Sequence, residues 1–338
     1  MGRLAVVFAL LMTASVAVAD EPVQLLGFDD LDGWAADDHS AALSVFRNTC
    51  MDLDGSDWAA LCEVADTARD ARTFFELFFQ PVLIGGENPA LFTGYYEPEL
   101  TGSRTRTSRY RFPVYRMPPE VSGRWLSREE IEETRVLEGR GLEIAWVDDP
   151  VELFFLQIQG SGRIRMMDGS FIRVGYGGRN GHEYRSVGQE LVRRGVYHAH
   201  QVSAQVIQSW VRRNPSAGRD LLHHNPSYVF FREVEITDPD LGPLGAMNRN
   251  ITPHRTIAVD PDHTPLGAPV WIEKDGNGPI RRLMIAQDTG GAIQGAQRAD
   301  IFFGFGDDAG EAAGVIRDPG RMIVLLPIER AHQLIPDA

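Results

Sequence analysis

The sequence predicts a mainly β protein of two domains with helices near its N-terminus, and three observations lead there. A chain of 338 residues favours two domains over one. Its 34 glycines and 20 prolines mark many turns, hence many short strands. From Leu31 to Phe79 apolar positions recur every three or four residues, as in Ala41, Leu43 and Phe46 and again in Phe74, Phe75 and Leu77, which is helical spacing. With 43% hydrophobic and 24% charged residues the chain can bury a sizeable core, which excludes a long disordered or collagen-like polymer. Against 47 Asp and Glu stand 33 Lys and Arg, for a net charge of −14, and Lys274 is the single lysine. A nucleic-acid binder needs a dense basic face, and none is supplied.

At the N-terminus Arg3 precedes an apolar run from Leu4 to Met12, and small residues ending Ala17-Val18-Ala19 lead into Asp20-Glu21. That is the plan of a cleavable secretory signal over residues 1–19, with an apolar run too short for a permanent span. A buried N-terminal helix is the alternative, which the charge order disfavours. No cysteine stands at the cleavage point, so neither a lipoprotein anchor nor an integral membrane segment is expected in the mature chain. Cys50 and Cys62 flank a Gly-Ser turn, and in an oxidising compartment they are expected to form one disulfide. Zinc is the weaker alternative, because two thiols without nearby histidines fall short of four ligands.

Leu91 to Leu100, LFTGYYEPEL, reads as a strand running into a turn, and TGSRTRTSRYRF after it as a crossing between domains. Residues 112–174 alternate short apolar runs with turns, the pattern of a small antiparallel barrel or sandwich. Ser186 caps a helix ended by Gly195, and a second helix runs from Ser203 to Arg213 before Asn214-Pro215. The strand pattern then resumes to the C-terminus. One β domain inserted within another accounts for this order, with residues 20–103 and 229–338 forming the outer domain and residues 104–228 the inserted one.

The segment richest in site-like features is AQDTGGAIQGAQRADIFFGFG, where Asp288 and Asp300 are separated by Gly290, Gly291 and Gly295. Acids at strand ends beside glycine turns face clefts where backbone must approach a ligand, although acids also cap turns and helices. Asp260, followed by Pro261, carries the same ambiguity and reads more readily as structural. Other chemistries fare poorly. His223 and His224 are adjacent, no metal-ligand spacing of the H-E-x-x-H kind is present, and no P-loop lysine follows the glycines near Gly178. Ser161 lies between glycines outside any G-x-S-x-G elbow.

FTGYYEPEL, LEIAWVDDPVELFFLQIQGSGRI, NPSYVFFRE, GPLGAMN, the AVDP-x3-PLG turn and DTGGAIQG-x3-AD occur in one collinear order covering most of the chain. Together they resemble the membrane-bound lytic murein transglycosylase A family, whose C-terminal stretch is a three-aspartate (3D) domain. The resemblance implies a double-psi β-barrel with a smaller inserted β-barrel, no metal and no cofactor. It implies a periplasmic Gram-negative enzyme, although the missing lipobox cysteine argues against membrane attachment. The implied substrate is the glycan strand of peptidoglycan, cut between N-acetylmuramic acid and N-acetylglucosamine to leave 1,6-anhydromuramoyl ends. Cell-wall synthesis or hydrolysis proteins are the implied class of partner.

The resemblance places the general acid/base at Asp300, and Ile301, Phe302 and Phe303 supply apolar flanks able to raise its pKa. Tyr95, Tyr96 and Glu97 become candidates for sugar binding, with packing as the bland reading of the tyrosines. Gln157 and Gln159, read as alternating on one strand face beside Gly160, Ser161 and Gly162, become candidates for holding N-acetyl groups. Asp288 reads as a second site acid or a turn organiser. Two rivals stay open: a non-catalytic wall-binding module, and a glycoside hydrolase using Asp288 and Asp300 as a pair.

Overall fold

The computed structural model describes residues 22–334 apart from Met51, Asp54, Gly55, Glu87, Thr237, Pro239 and Asn277 and the side chains of Ser56 and Asp57. The expected signal segment lies outside the described residues. A short strand β1 (Val23–Leu25) precedes three helices, α1 (His39–Cys50), α2 (Ser56–Thr67) and α3 (Ala71–Phe78). The Asp70 carboxylate starts α3 by accepting from the Thr73 N–H at 2.9 Å. Phe46 of α1 meets Phe74, Phe75 and Phe79 at ring separations of 5.9, 6.2 and 5.8 Å, so the helices close over one aromatic cluster. The expected Cys50–Cys62 disulfide joins α1 to α2, with Cα atoms 5.5 Å apart.

The chain continues through β2 (Phe79–Ile84), β3 (Ala90–Glu97), β4 (Glu99–Ser103), β5 (Phe112–Tyr115), α4 (Arg128–Thr134), β6 (Glu143–Val147), α5 (Pro150–Gln159), β7 (Gly162–Met166) and β8 (Phe171–Arg179). Then come α6 (Val187–Arg193), α7 (Ala204–Arg213), α8 (Pro215–His223), β9 (Val229–Val234), β10 (Thr256–Val259), β11 (Pro269–Lys274), β12 (Ile280–Thr289), β13 (Arg298–Phe305), α9 (Gly306–Gly314), β14 (Arg317–Pro327) and α10 (Ile328–Gln333).

Two barrel-like sheets result. In the first, β14, β11, β12, β10, β13 and β3 close into a ring, since β3 pairs with both β13 and β14, while β2 and β1 extend the sheet from β14. The pairs β10–β12 and β3–β13 are parallel and the rest of the ring antiparallel. Trp271, Ile285, Ile301 and Val324 lie in its core, which the N-terminal helices share. The second sheet runs β5-β6-β4-β7-β8-β9, and a bridge from Arg116 to Phe231 brings its edges together. Both β4 and β9 hydrogen-bond here. The second sheet therefore begins just after Pro98 and ends at Val234, beyond the limits of 104 and 228 expected for the inserted domain.

Two local expectations are corrected. Gln157 and Gln159 lie in the helix α5, not on a strand. Asp149 caps this helix by accepting from the Val151 N–H at 2.7 Å, Pro150 opens it, and Gly160 ends it with φ at 77°. A short apolar run is ambiguous in sequence between a buried strand and a buried helix, and here the capping residues decide. Likewise Asn214-Pro215 ends α7 and at once begins α8, because a proline without an N–H fits the first helical turn.

Candidate active site

Strand register brings the two acids together. Ala258 of β10 pairs with Asp288 of β12 on one side and with Asp300 of β13 on the other. Directly opposed residues project to one face of a sheet, so both carboxyls flank the small side chain of Ala258. On the far side of β13, Thr93 of β3 is in register with Asp300. Its hydroxyl donates to Asp300 Oδ1 at 2.7 Å and itself accepts from Arg298 Nη2 at 2.8 Å. Burial pushes the Asp300 carboxyl up from 3.8 to about 6. The Thr93 hydrogen bond and the Arg298 charge oppose that rise, and the charge of Asp288 adds to it.

Asp288 is held by three donors. Tyr95 O–H reaches its Oδ2 at 2.9 Å, and the N–H groups of Ala246 and Thr289 reach Oδ1 at 3.0 and 2.9 Å. Burial raises its pKa against these donors. The Tyr95 phenol is driven well above its ordinary value by burial and by Asp288, so it stays a donor at any physiological pH. Its ring packs on Phe302 at a centroid separation of 5.2 Å. Asp260 plays a different part: its Oδ2 accepts from the Gly295 N–H at 2.7 Å and its Oδ1 from the Asp262 N–H at 3.1 Å. It thereby anchors the glycine loop between the two acids, and the first of those bonds holds its pKa down.

Thr93, Tyr95 and Glu97 alternate onto one face of β3, and each finds a charged partner there. Glu97, expected at the sugar, is turned into the interior. The carboxylate is buried and fully engaged by Arg163 Nε at 2.9 Å, Arg173 Nε at 2.8 Å and Arg173 Nη2 at 3.1 Å. Tyr96 points the other way and lies against α9, where a Cβ on Gly310 would come within 2.8 Å of its ring.

From the second sheet, Gln157 is buried, donates to Val229 O at 3.3 Å and leaves its Oε1 without a partner, which makes it an interior side chain. Gly160 is the left-handed cap of α5. Gly162 is glycine for packing, since a Cβ there would stand 2.3 Å from Leu156 Cδ1. Gln159 and Ser161 are half-buried on the same turn.

Sequence reasoning missed Thr93 and the loop around Ala246. The signal for Thr93 was its place in FTGYYEP, whose parallel pairing with ADIF sets it beside Asp300. GPLGAMN reaches Asp288 because Gly245 lies against β12, where a Cβ would meet Gln287 O at 2.7 Å.

The model of the MltA-specific insert domain matches residues 91–232 and that of the 3D domain residues 255–326. Over 244 residues the chain is 37% identical to membrane-bound lytic murein transglycosylase A of Escherichia coli K12, covering 69% of this chain and 65% of that protein. It thus spans just under two thirds of that curated relative. A crystal structure of a membrane-bound lytic murein transglycosylase from Agrobacterium tumefaciens superposes with a TM-score of 0.84 at 32% identity, covering 93% of this chain and 99% of that one. E. coli MltA crystallised with bound chitohexaose superposes with a TM-score of 0.71 at 30% identity, covering 86% of this chain and 89% of that one.

Proposed function

The chain belongs to the membrane-bound lytic murein transglycosylase A family, and on that premise we propose that it cleaves the β-1,4 bond between N-acetylmuramic acid and N-acetylglucosamine of peptidoglycan without water. The carrying observation is the half-buried Asp300 carboxyl, held at about 6 beside a second acid and positioned by Thr93. Protonated, it gives its proton to the glycosidic oxygen as the C1–O bond breaks. As carboxylate it then takes the C6 hydroxyl proton while that oxygen bonds to C1, leaving the 1,6-anhydro ring. One acid suffices because the nucleophile is tethered to the reacting sugar, at high effective molarity.

Asp288, held by Tyr95 and two backbone N–H groups, is the positioning acid in this scheme, and its charge helps keep the Asp300 carboxyl raised. The glycan strand would lie along the face carrying both acids, with Gln159 and Ser161 on the second sheet as candidate contacts. A disulfide among the described residues fits an oxidising compartment, for which the periplasm is the reading. No helix among the described residues is long and apolar enough to cross a membrane.

Mass spectrometry of muropeptides released from purified sacculi tests the scheme. Anhydromuramoyl ends from the native chain, lost in Asp300→Asn, are expected. Reducing ends dependent on both acids would replace it with a hydrolase, and glycan binding without release with a wall-binding module.

A further inference from the structure

We propose that Glu129, Glu133 and His223 form a binding site for a divalent transition-metal ion of the zinc class, which fastens α4 to α8. Glu129 and Glu133 are one helical turn apart on α4, and His223 is the last residue of α8. One ligand atom from each lies within 4.8 Å of the others. Around a tetrahedral zinc ion such atoms stand roughly 3.3 Å apart, so a closure of about 1.5 Å completes the set, with water as fourth ligand. Both glutamates are exposed and free to make that movement.

The histidine is fixed in advance. Its side chain is only 7% exposed, and Nε2 lies 3.0 Å from Glu132 Oε2. Glu132 in turn accepts from Arg128 Nη1 at 3.2 Å, and Arg128 is buried with Nη2 on Ser227 O at 2.8 Å. In the neutral imidazole that donates Nε2–H to Glu132, the lone pair is on Nδ1, which makes no hydrogen bond and faces Glu129 Oε1 at 4.0 Å; an ion bound there would displace the proton that the three carboxylates otherwise favour. This is the carboxylate–histidine arrangement that orients metal-ligating imidazoles. An imidazole with two carboxylates suits zinc, nickel or copper, whereas calcium and magnesium take oxygen ligands.

The position gives the ion a purpose. Ile131 of α4 belongs to the small core around Tyr115, Tyr228 and Phe230, and Leu221 of α8 to the one around Phe154, Leu191 and Val211. A bound ion would tie these two cores together. Linear spacing conceals the site, because the ligands come from two helices far apart in the chain.

The intact chain, stripped with chelator, is titrated with Zn2+ by calorimetry and by metal analysis after dialysis, with thermal melts alongside. One saturable site per chain is expected, with a Tm gain of a few degrees. Glu129→Gln/Glu133→Gln, changed at two exposed positions, should weaken binding by at least about tenfold while leaving the metal-free Tm in place. His224→Gln should bind as the native chain does. Absence of saturable binding, or equal affinity in the double variant, would overturn the proposal and leave His223 as an ion-paired imidazolium only.

Discussion

Asp300 illustrates how a single carboxyl is made useful at the expense of the fold. Its pKa of about 6 against an ordinary 3.8 means that the folded chain binds this proton more tightly than the unfolded chain. Stability is therefore highest with the carboxyl protonated, falls as pH rises from 3.8 through about 6, and stays lowered above that. The difference between 3.8 and about 6 corresponds to at most about 3 kcal/mol, and partial exposure reduces it to about 1–2 kcal/mol. Asp300→Asn keeps an acceptor for Thr93 and removes the buried charge. Its Tm should exceed that of the native protein at pH 8 and match it near pH 4; an equal increment at both values would show that the charge is not the cause. At this scale the sequence displayed the two acids but not their fates. Asp288 was legible as an acid at a strand end before a glycine turn and Asp300 through the ADIF motif of the family it resembles, whereas Glu97 presents the same chemistry and is consumed by Arg163 and Arg173, partners from distant strands.

Secondary-structure elements were legible where their ends carry side-chain chemistry. Ser186 caps α6 as the sequence predicts, accepting from Gln189 N–H at 3.2 Å, and Ser203, expected as the first residue of the next helix, caps α7 by accepting from Val206 N–H at 3.3 Å. For α5 the apolar run ELFFLQI is compatible with a buried strand or a buried helix, and the Asp149 cap with Pro150 behind it makes it a helix. The same turn shows two distinct uses of glycine. At Gly160 the backbone is left-handed with open space around it, while at Gly162 the backbone is ordinary and the space is filled by Leu156 and Pro98. Gly160→Ala should cost about 1 kcal/mol, the penalty of a left-handed residue with a Cβ. Gly162→Ala should cost about 1–3 kcal/mol by overpacking at the start of β7. Urea denaturation of the two variants side by side checks the order, and a larger loss at Gly160 would contradict it.

At the scale of the molecule, the face carrying Asp288 and Asp300 belongs to the first barrel, and the second barrel is set against it by a charged junction. Glu97 ends β3 of the first barrel, Arg163 and Arg173 come from β7 and β8 of the second, and both arginines also donate to Leu241 O, at 2.9 and 2.7 Å. Arg163 lies over the Phe305 ring at 3.7 Å, which adds a contact back to β13. Two buried guanidiniums share the Glu97 carboxylate, a costly arrangement that persists only while the acid is ionised and geometrically fitted. Since Glu97 is two residues from Tyr95 on the same face of β3, the junction and the site share one strand. Glu97→Gln removes the carboxylate charge that both arginines share and should destabilise by about 3–5 kcal/mol. The loss belongs to the contact between barrels, so thermal unfolding is expected to separate into two transitions, and release of muropeptides to fall even at temperatures where both barrels remain folded. A single transition within about 1 kcal/mol of the native value would mean that Leu241 and Phe305 hold the arginines without the acid.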